Sequence, residues 1–99
     1  MIEHIVLLKL KEGVTEAQTQ AMADGLEKLT QVIPGMLDVS AGYNTSSEGK
    51  DAGFNYGFIV RFNNAAAWDG YVPHPEHQKL AINLVRPIAD GVIVFDYEH

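Results

Sequence analysis

The sequence predicts an α+β fold with four strands and two helical regions in the order β-α-β-β-α-β. Three observations predict it. Stretches of strand-type patterning stand near both ends and twice in the middle of the chain. An amphipathic helical pattern separates the first two strands, and a proline-punctuated helical pattern separates the last two. That order is the split βαβ, or ferredoxin-like, arrangement: one antiparallel four-stranded sheet with both helices on one face.

The first strand, "IEHIVLLKL" from Ile2 to Leu10, is apolar on both parities. Ile2, His4, Val6, Leu8 and Leu10 share one face, and Ile5 and Leu7 share the other. A strand with one face in water would alternate cleanly, so both faces are expected to be covered.

A helix follows. Thr15 is an N-cap candidate, with Gln18 at capping-box spacing. Ala17, Ala21, Met22, Leu26, Leu29, Val32 and Ile33 step by three and four, as an amphipathic helix requires. Gly25 weakens that helix, and Pro34 with Gly35 ends it.

The second strand, "LDVSAGYN", places Leu37, Val39, Ala41 and Tyr43 on its buried side. The polar stretch "TSSEGKDAG" reads as a loop. In "FNYGFIVRF", Phe54, Tyr56, Phe58, Val60 and Phe62 fall on one face, with Ile59 and Arg61 on the other. Asn63 or Asn64 caps the next helical segment, which Pro73 and Pro75 interrupt. A new helix is expected from Pro75 to about Ile88. The last strand, "GVIVFDYE", is again apolar on both parities in its first half.

If both helices cover one face of the sheet, Ile5, Leu7, Ile59, Ile93 and Phe95 form an apolar patch on the other. Such a patch is covered economically by a second copy of the chain, sheet against sheet, so a homodimer is expected.

Composition narrows the function. Residues 1–99 read as a single domain near the low end of independently folding size. Thirteen acidic residues against seven basic ones give a net charge of −6, without the basic cluster that nucleic acid binding needs. There is no cysteine, hence no disulfide framework and no thiolate metal site. Neither a signal peptide pattern nor the roughly 20 apolar residues of a membrane span is present, so a cytoplasmic protein is expected. No glycine-rich phosphate loop occurs, and Arg61 and Arg86 stand isolated in the sequence, so no coenzyme site is predicted.

The chemistry concentrates in "YVPHPEHQKL", Tyr71 to Leu80. Its proton-handling groups surround a proline-broken helix start. His74 precedes a proline and suits an N-cap role, while Glu76 suits the positive end of the helix dipole. His4, His74, His77 and Glu76 offer nitrogen and oxygen ligands for zinc or nickel, but the proline within H-x-x-H breaks the regular helical face. No metal and no other cofactor is predicted. By residue pattern alone, His4 reads as a core histidine or a pocket residue. Tyr71 and His77 read as packing groups or as an acid-base pair. Trp68 and the aromatic stripe read as core or as the wall of an apolar cavity, with Met22, Leu26 and Leu29 opposite.

Three stretches, "HIVLLKLKEGVTEAQ", "YVPHPEH" and "VIVFDYE", resemble the stress-responsive A/B barrel (Dabb) family over essentially the whole chain, the Y-x-x-H-P-x-H piece being the most specific. The resemblance implies a dimeric α+β barrel. It also implies that Tyr71 and His77 match the catalytic tyrosine and histidine of a polyketide-cyclising member working by aldol condensation. A first-strand histidine of that enzyme matches His4, whereas a helical tyrosine of its pocket falls on Leu26. The functional expectation is a small-molecule binder or enzyme using His77, Tyr71 and His4. The alternatives are a non-catalytic stress-responsive dimer and, by analogy of fold alone, a cofactor-free monooxygenase.

Overall fold

The computed structural model describes all residues, 1–99. Strands β1 (Ile2–Leu10), β2 (Met36–Tyr43), β3 (Tyr56–Phe62) and β4 (Ala89–Glu98) form one antiparallel sheet in the order β2-β3-β1-β4. Helices α1 (Glu16–Leu29), α2 (Ala65–Tyr71) and α3 (Pro75–Leu80) connect them. The predicted architecture is the observed one. β1 is central, paired by β3 on one side and by β4 on the other.

The inner face carries the core. Ile2, Val6 and Leu8 of β1 and Tyr56, Phe58, Val60 and Phe62 of β3 are buried there beneath Met22, Leu26 and Leu29 of α1. The capping box at Thr15 is complete: Thr15 Oγ1 accepts from the Gln18 amide at 3.3 Å, and Gln18 Oε1 accepts from the Thr15 amide at 2.9 Å. Such caps contribute about 1 kcal/mol. The stripe of α1 is narrower than its spacing predicts, because Ala17, Ala21 and Val32 are exposed. Thr19 is buried in their place, its hydroxyl bonding Glu16 O at 3.1 Å and Tyr43 Oη at 2.8 Å.

Two glycines set the helices on the sheet. A Cβ at Gly25 would lie 2.9 Å from Leu80 Cδ1, so the residue that weakens α1 also lets it approach α3. Gly35 has φ +80, and a Cβ there would meet Ala67 Cβ at 2.5 Å. That contact seats α2 against the turn before β2.

Three expectations need correction. Leu37 does not share the inner face, because a bulge between Met36 and Asp38 leaves it exposed and sends Met36 into the core opposite Phe62. Phe54 precedes β3 rather than joining it. Its ring lies under Lys9 Nζ, at 5.4 Å, and beside Gly91, away from the inner stripe. The last helix does not run regularly to Ile88: after Leu80 it widens into a π turn over Ala81–Val85 and tightens into a 3-10 turn over Arg86–Ile88. Pro87 lacks the amide that a continuing helix would require.

On the outer face, Ile5 stands opposite Ile59 and Phe95, and Leu7 opposite Gly57 and Ile93. Leu7, Ile93, Phe95 and Tyr97 are exposed, Phe95 to 60%. One end of this face is polar. The Glu3 carboxylate accepts from Arg61 Nε at 2.9 Å and from His99 Nε2 at 3.0 Å, so Arg61 is ion-paired rather than isolated. Hydrogen bonds from His99 and Arg61 hold the Glu3 pKa below its usual value. No helix is long and apolar enough to cross a membrane.

Candidate active site

Asn64 caps α2, its Oδ1 accepting from the Ala67 amide at 3.0 Å, and so fixes where Trp68 and Tyr71 point. Both sit one helical turn apart on the same face. The chain then breaks at Pro73, and Pro75 opens α3 at the position where a missing amide costs nothing. His74 is the N-cap of α3, with Nδ1 accepting from the Glu76 amide at 3.1 Å. Glu76 lies in the first turn and pairs with Lys79 at 3.3 Å. Both residues therefore serve the helix start.

The break brings His77 back over Tyr71. Their ring centroids are 4.0 Å apart with a 33° tilt, so the rings stack rather than share a hydrogen bond. His77 Nδ1–H donates to Val72 O at 3.0 Å, and Gln78 Nε2 donates to the same carbonyl at 2.9 Å. His77 Nε2 is left without a partner in the chain. Desolvation lowers the His77 pKa, favouring the neutral ring.

Tyr71 is 1% exposed and is packed edge-on by Phe62 at 4.9 Å and His4 at 5.6 Å. Its hydroxyl makes no hydrogen bond within the chain. Burial, followed by the Asp96 charge, raises its pKa, so it remains a phenol and a donor.

His4 is 8% exposed on the inner face of β1. Its Nδ1 lies 2.5 Å from Asp96 Oδ1, directly across the β1–β4 pair. A carboxylate only accepts, so Nδ1–H donates, and in the neutral ring Nε2 keeps its lone pair. The two histidines thus share one arrangement: an oxygen occupies each Nδ1–H, and each Nε2 has no partner in the chain and is an acceptor in the neutral ring.

These groups border one cavity of about 350 Å³ between the sheet and the helices, with His4, Tyr71 and His77 in a wall otherwise made by residues such as Leu26, Phe58 and Trp68. Val92 and Val94 line it and are themselves half-exposed, so its opening runs along the edge strand β4. The volume lies at the low end of the roughly 300–1,000 Å³ of small-molecule sites, and an apolar wall with a few convergent polar groups is their usual composition. A wider groove of about 500 Å³ beside Asn63, Asn64 and His74 lies on the surface and contains none of the three groups.

The three predicted site residues are therefore neighbours. Of the predicted wall, Leu26, Phe58 and Trp68 line the cavity, whereas Met22, Leu29, Tyr56 and Phe62 are core. No three His, Asp or Glu side chains converge as metal ligands, and His74 turns away to cap α3. Sequence reasoning missed Asp96. Its signal was parity: in "VIVFDYE" it follows Val92 and Val94 on the inward side, an acid in an apolar row on a strand pairing with the one that carries His4.

The stress responsive A/B barrel domain family matches residues 2–99. The chain belongs to this family. It is 28% identical over 96 residues to olivetolic acid cyclase of Cannabis sativa, covering 97% of this chain and 94% of that one. It is 27% identical over 97 residues to the stress-response A/B barrel domain-containing protein HS1 of Arabidopsis thaliana, covering 98% and 88%. Among solved structures, a dimeric ferredoxin-like protein of unknown function from Jannaschia sp. CCS1 superposes with a TM-score of 0.84 at 32% identity, covering 99% and 98%.

Proposed function

We propose that this stress-responsive A/B barrel protein binds a small, mostly apolar carbonyl compound between its sheet and helices and performs acid-base chemistry on it. The observation that carries the reading is the cavity bordered jointly by His4, Tyr71 and His77. A purely structural histidine-tyrosine contact would fill this space; here Tyr71 Oη and both free Nε2 atoms have no partner in the chain. The likeness to olivetolic acid cyclase supports a cyclase-type reaction.

In this reading neutral His77 removes a proton from the carbon beside a carbonyl. The C–H bond breaks, the proton goes to Nε2, and the electron pair moves onto the carbonyl oxygen. Tyr71 donates its O–H to that developing enolate. In an aldol closure the carbanion then attacks a second carbonyl of the same molecule, and the resulting alkoxide recovers the proton. His4, oriented by Asp96, supplies a second acceptor in the same wall. The reading includes a homodimer closed through the outer sheet face, which the dimeric neighbour and the exposed apolar patch support.

Hydrogen exchange tests the chemistry. Benzylacetone, a ketone with an apolar tail and slowly exchanging hydrogens beside its carbonyl, is incubated with the protein in deuterated buffer. Exchange above the buffer rate, lost in both His77→Ala and Tyr71→Phe, is the expected result. Exchange equal to buffer, with no benzylacetone-induced rise in Tm, would leave the alternative reading, a non-catalytic stress-responsive dimer.

A further inference from the structure

Gly25 sits inside α1, where glycine weakens a helix, and its backbone is not in the left-handed region that would demand one. What the position demands is room. A Cβ there would lie 2.9 Å from Leu80 Cδ1 and 3.1 Å from Leu84 Cδ1, so neither side chain could stay where it is. Gly70, inside α2, is the contrast: a Cβ there would meet nothing within 4 Å.

Leu80 is a partition between two spaces. It lines the cavity together with His4, Tyr71 and His77, and it lines, together with Gly25, a surface groove of about 300 Å³ between α1 and α3. A methyl group on Gly25 enters from the groove side. Moving α3 as a whole to admit it would part His77 from Tyr71 and from Val72 O, which it holds at 3.0 Å. Turning the Leu80 side chain displaces only its terminal atoms, and the cavity is the space that receives them. Leu84 is half-buried and borders the groove instead, so it yields outward. We infer that Gly25 is a specificity-determining residue: by leaving Leu80 its place against α1, it sets how large an apolar chain the cavity accepts beside the carbonyl. The inference rests on the ligand-binding reading of this cavity. Gly25 touches no ligand and acts through Leu80, one helical turn from His77 on α3.

The probes are methyl ketones with straight alkyl chains from propyl to nonyl. Each is read by deuterium exchange beside its carbonyl and by the rise in Tm on binding. The native protein should show a best chain length. In Gly25→Ala that optimum should fall by about one or two carbons, because one added methyl displaces about its own volume. Leu80→Ala, which removes the partition, should raise it by about two or three carbons. Gly25→Ala should add nothing in the Leu80→Ala background, since Leu80 carries its effect. Gly70→Ala should leave the optimum where it is. An unshifted optimum in folded Gly25→Ala overturns the inference, and so does the same shift in Gly70→Ala or in the Leu80→Ala background. If Gly25→Ala does not fold, Leu80→Ala decides alone, and an optimum unmoved there overturns the inference. A series that neither exchanges above the buffer rate nor raises the Tm of the native protein removes the ligand-binding reading, and the inference with it.

Discussion

Asp96 holds His4: the two residues are directly opposed across the β1–β4 pair, with Nδ1 and Oδ1 2.5 Å apart. The consequence is a fixed tautomer. With Nδ1–H committed to the carboxylate, Nε2 of the neutral ring is an acceptor in a mostly apolar wall. Removing the carboxylate should release that constraint. In Asp96→Ala, His4 is expected to move toward the Nε2–H tautomer that free histidine prefers, as read by long-range proton–nitrogen NMR. Asp96→Asn, which keeps an acceptor oxygen, should largely restore the native tautomer. Losing the buried bond between His4 Nδ1 and Asp96 should cost about 1–3 kcal/mol in Asp96→Ala. An unchanged tautomer in Asp96→Ala would show that something other than Asp96 orients the ring.

Tyr71 separates stability from function more cleanly. Its ring is buried against Phe62, His4 and His77, but its hydroxyl has no partner in the chain. Tyr71→Phe keeps all three ring contacts and deletes an oxygen that nothing in the fold uses. Its effect on unfolding free energy should stay within about 0.5 kcal/mol, while any exchange activity toward a ketone should drop sharply. Denaturant unfolding and the deuterium assay on the same preparation check both halves. A loss of several kcal/mol would mean that the hydroxyl anchors the fold through a bound water.

Much of this arrangement was legible in the sequence, for identifiable reasons. Parity placed His4 on the inner face, because β1 runs regularly from Ile2 to Leu8 and a period of two leaves no choice. The capping box at Thr15 and the break at Pro73 and Pro75 were equally readable, since both depend on local backbone chemistry. What escaped depends on register or on contacts distant in sequence. The bulge at Leu37 shifts one residue and inverts its face, and no local signal announces it. The π turn over Ala81–Val85 and the place of Phe54 are set by packing. Asp96 became meaningful only once strand order placed it opposite His4, 92 residues away in sequence.

His77 should leave a signature in the pH dependence of stability. Desolvation lowers its folded pKa below the ordinary 6.5, with smaller contributions from His4 and His74. The unfolded chain therefore binds more protons at this position in the window between the folded pKa and 6.5. Stability is complete above that window and falls as pH drops through it. Comparing the Tm of the native protein and His77→Gln between about pH 7.5 and pH 5 isolates the effect. The native protein should lose more Tm on acidification than the variant. Parallel curves would show that His77 charges freely, against its assignment as a neutral base.

His77→Ala tests the same residue through packing. Val72 O keeps Gln78 Nε2 at 2.9 Å after the imidazole is gone, and Tyr71 loses a stacking partner but no hydrogen bond. The expected cost is about 1 kcal/mol, with the dimer still folded and ligand binding or exchange activity lost. Thermal melting and binding measured together make the distinction. A cost above about 3 kcal/mol, of the kind that follows breaking a buried polar network, would assign His77 to the fold.

The outer face makes the last prediction. Ile5 is at the middle of the sheet, flanked on its two neighbours by Ile59 and Phe95, with Leu7 and Ile93 two residues along. In a single chain Phe95 and Ile93 stand in water, an apolar row that a second sheet would cover. Ile5→Lys puts an ammonium at the centre of that row. In an isolated chain the charge would point to solvent at little cost, and the inner core, on the opposite parity, would be untouched. Between two packed sheets it would be an unpaired buried charge, which costs several kcal/mol per copy and, by symmetry, is suffered twice. The variant should therefore sediment as a folded monomer at concentrations where the native protein is dimeric. An intact Ile5→Lys dimer would place the contact elsewhere, and a monomeric native protein at micromolar concentration would remove the dimer from the proposal.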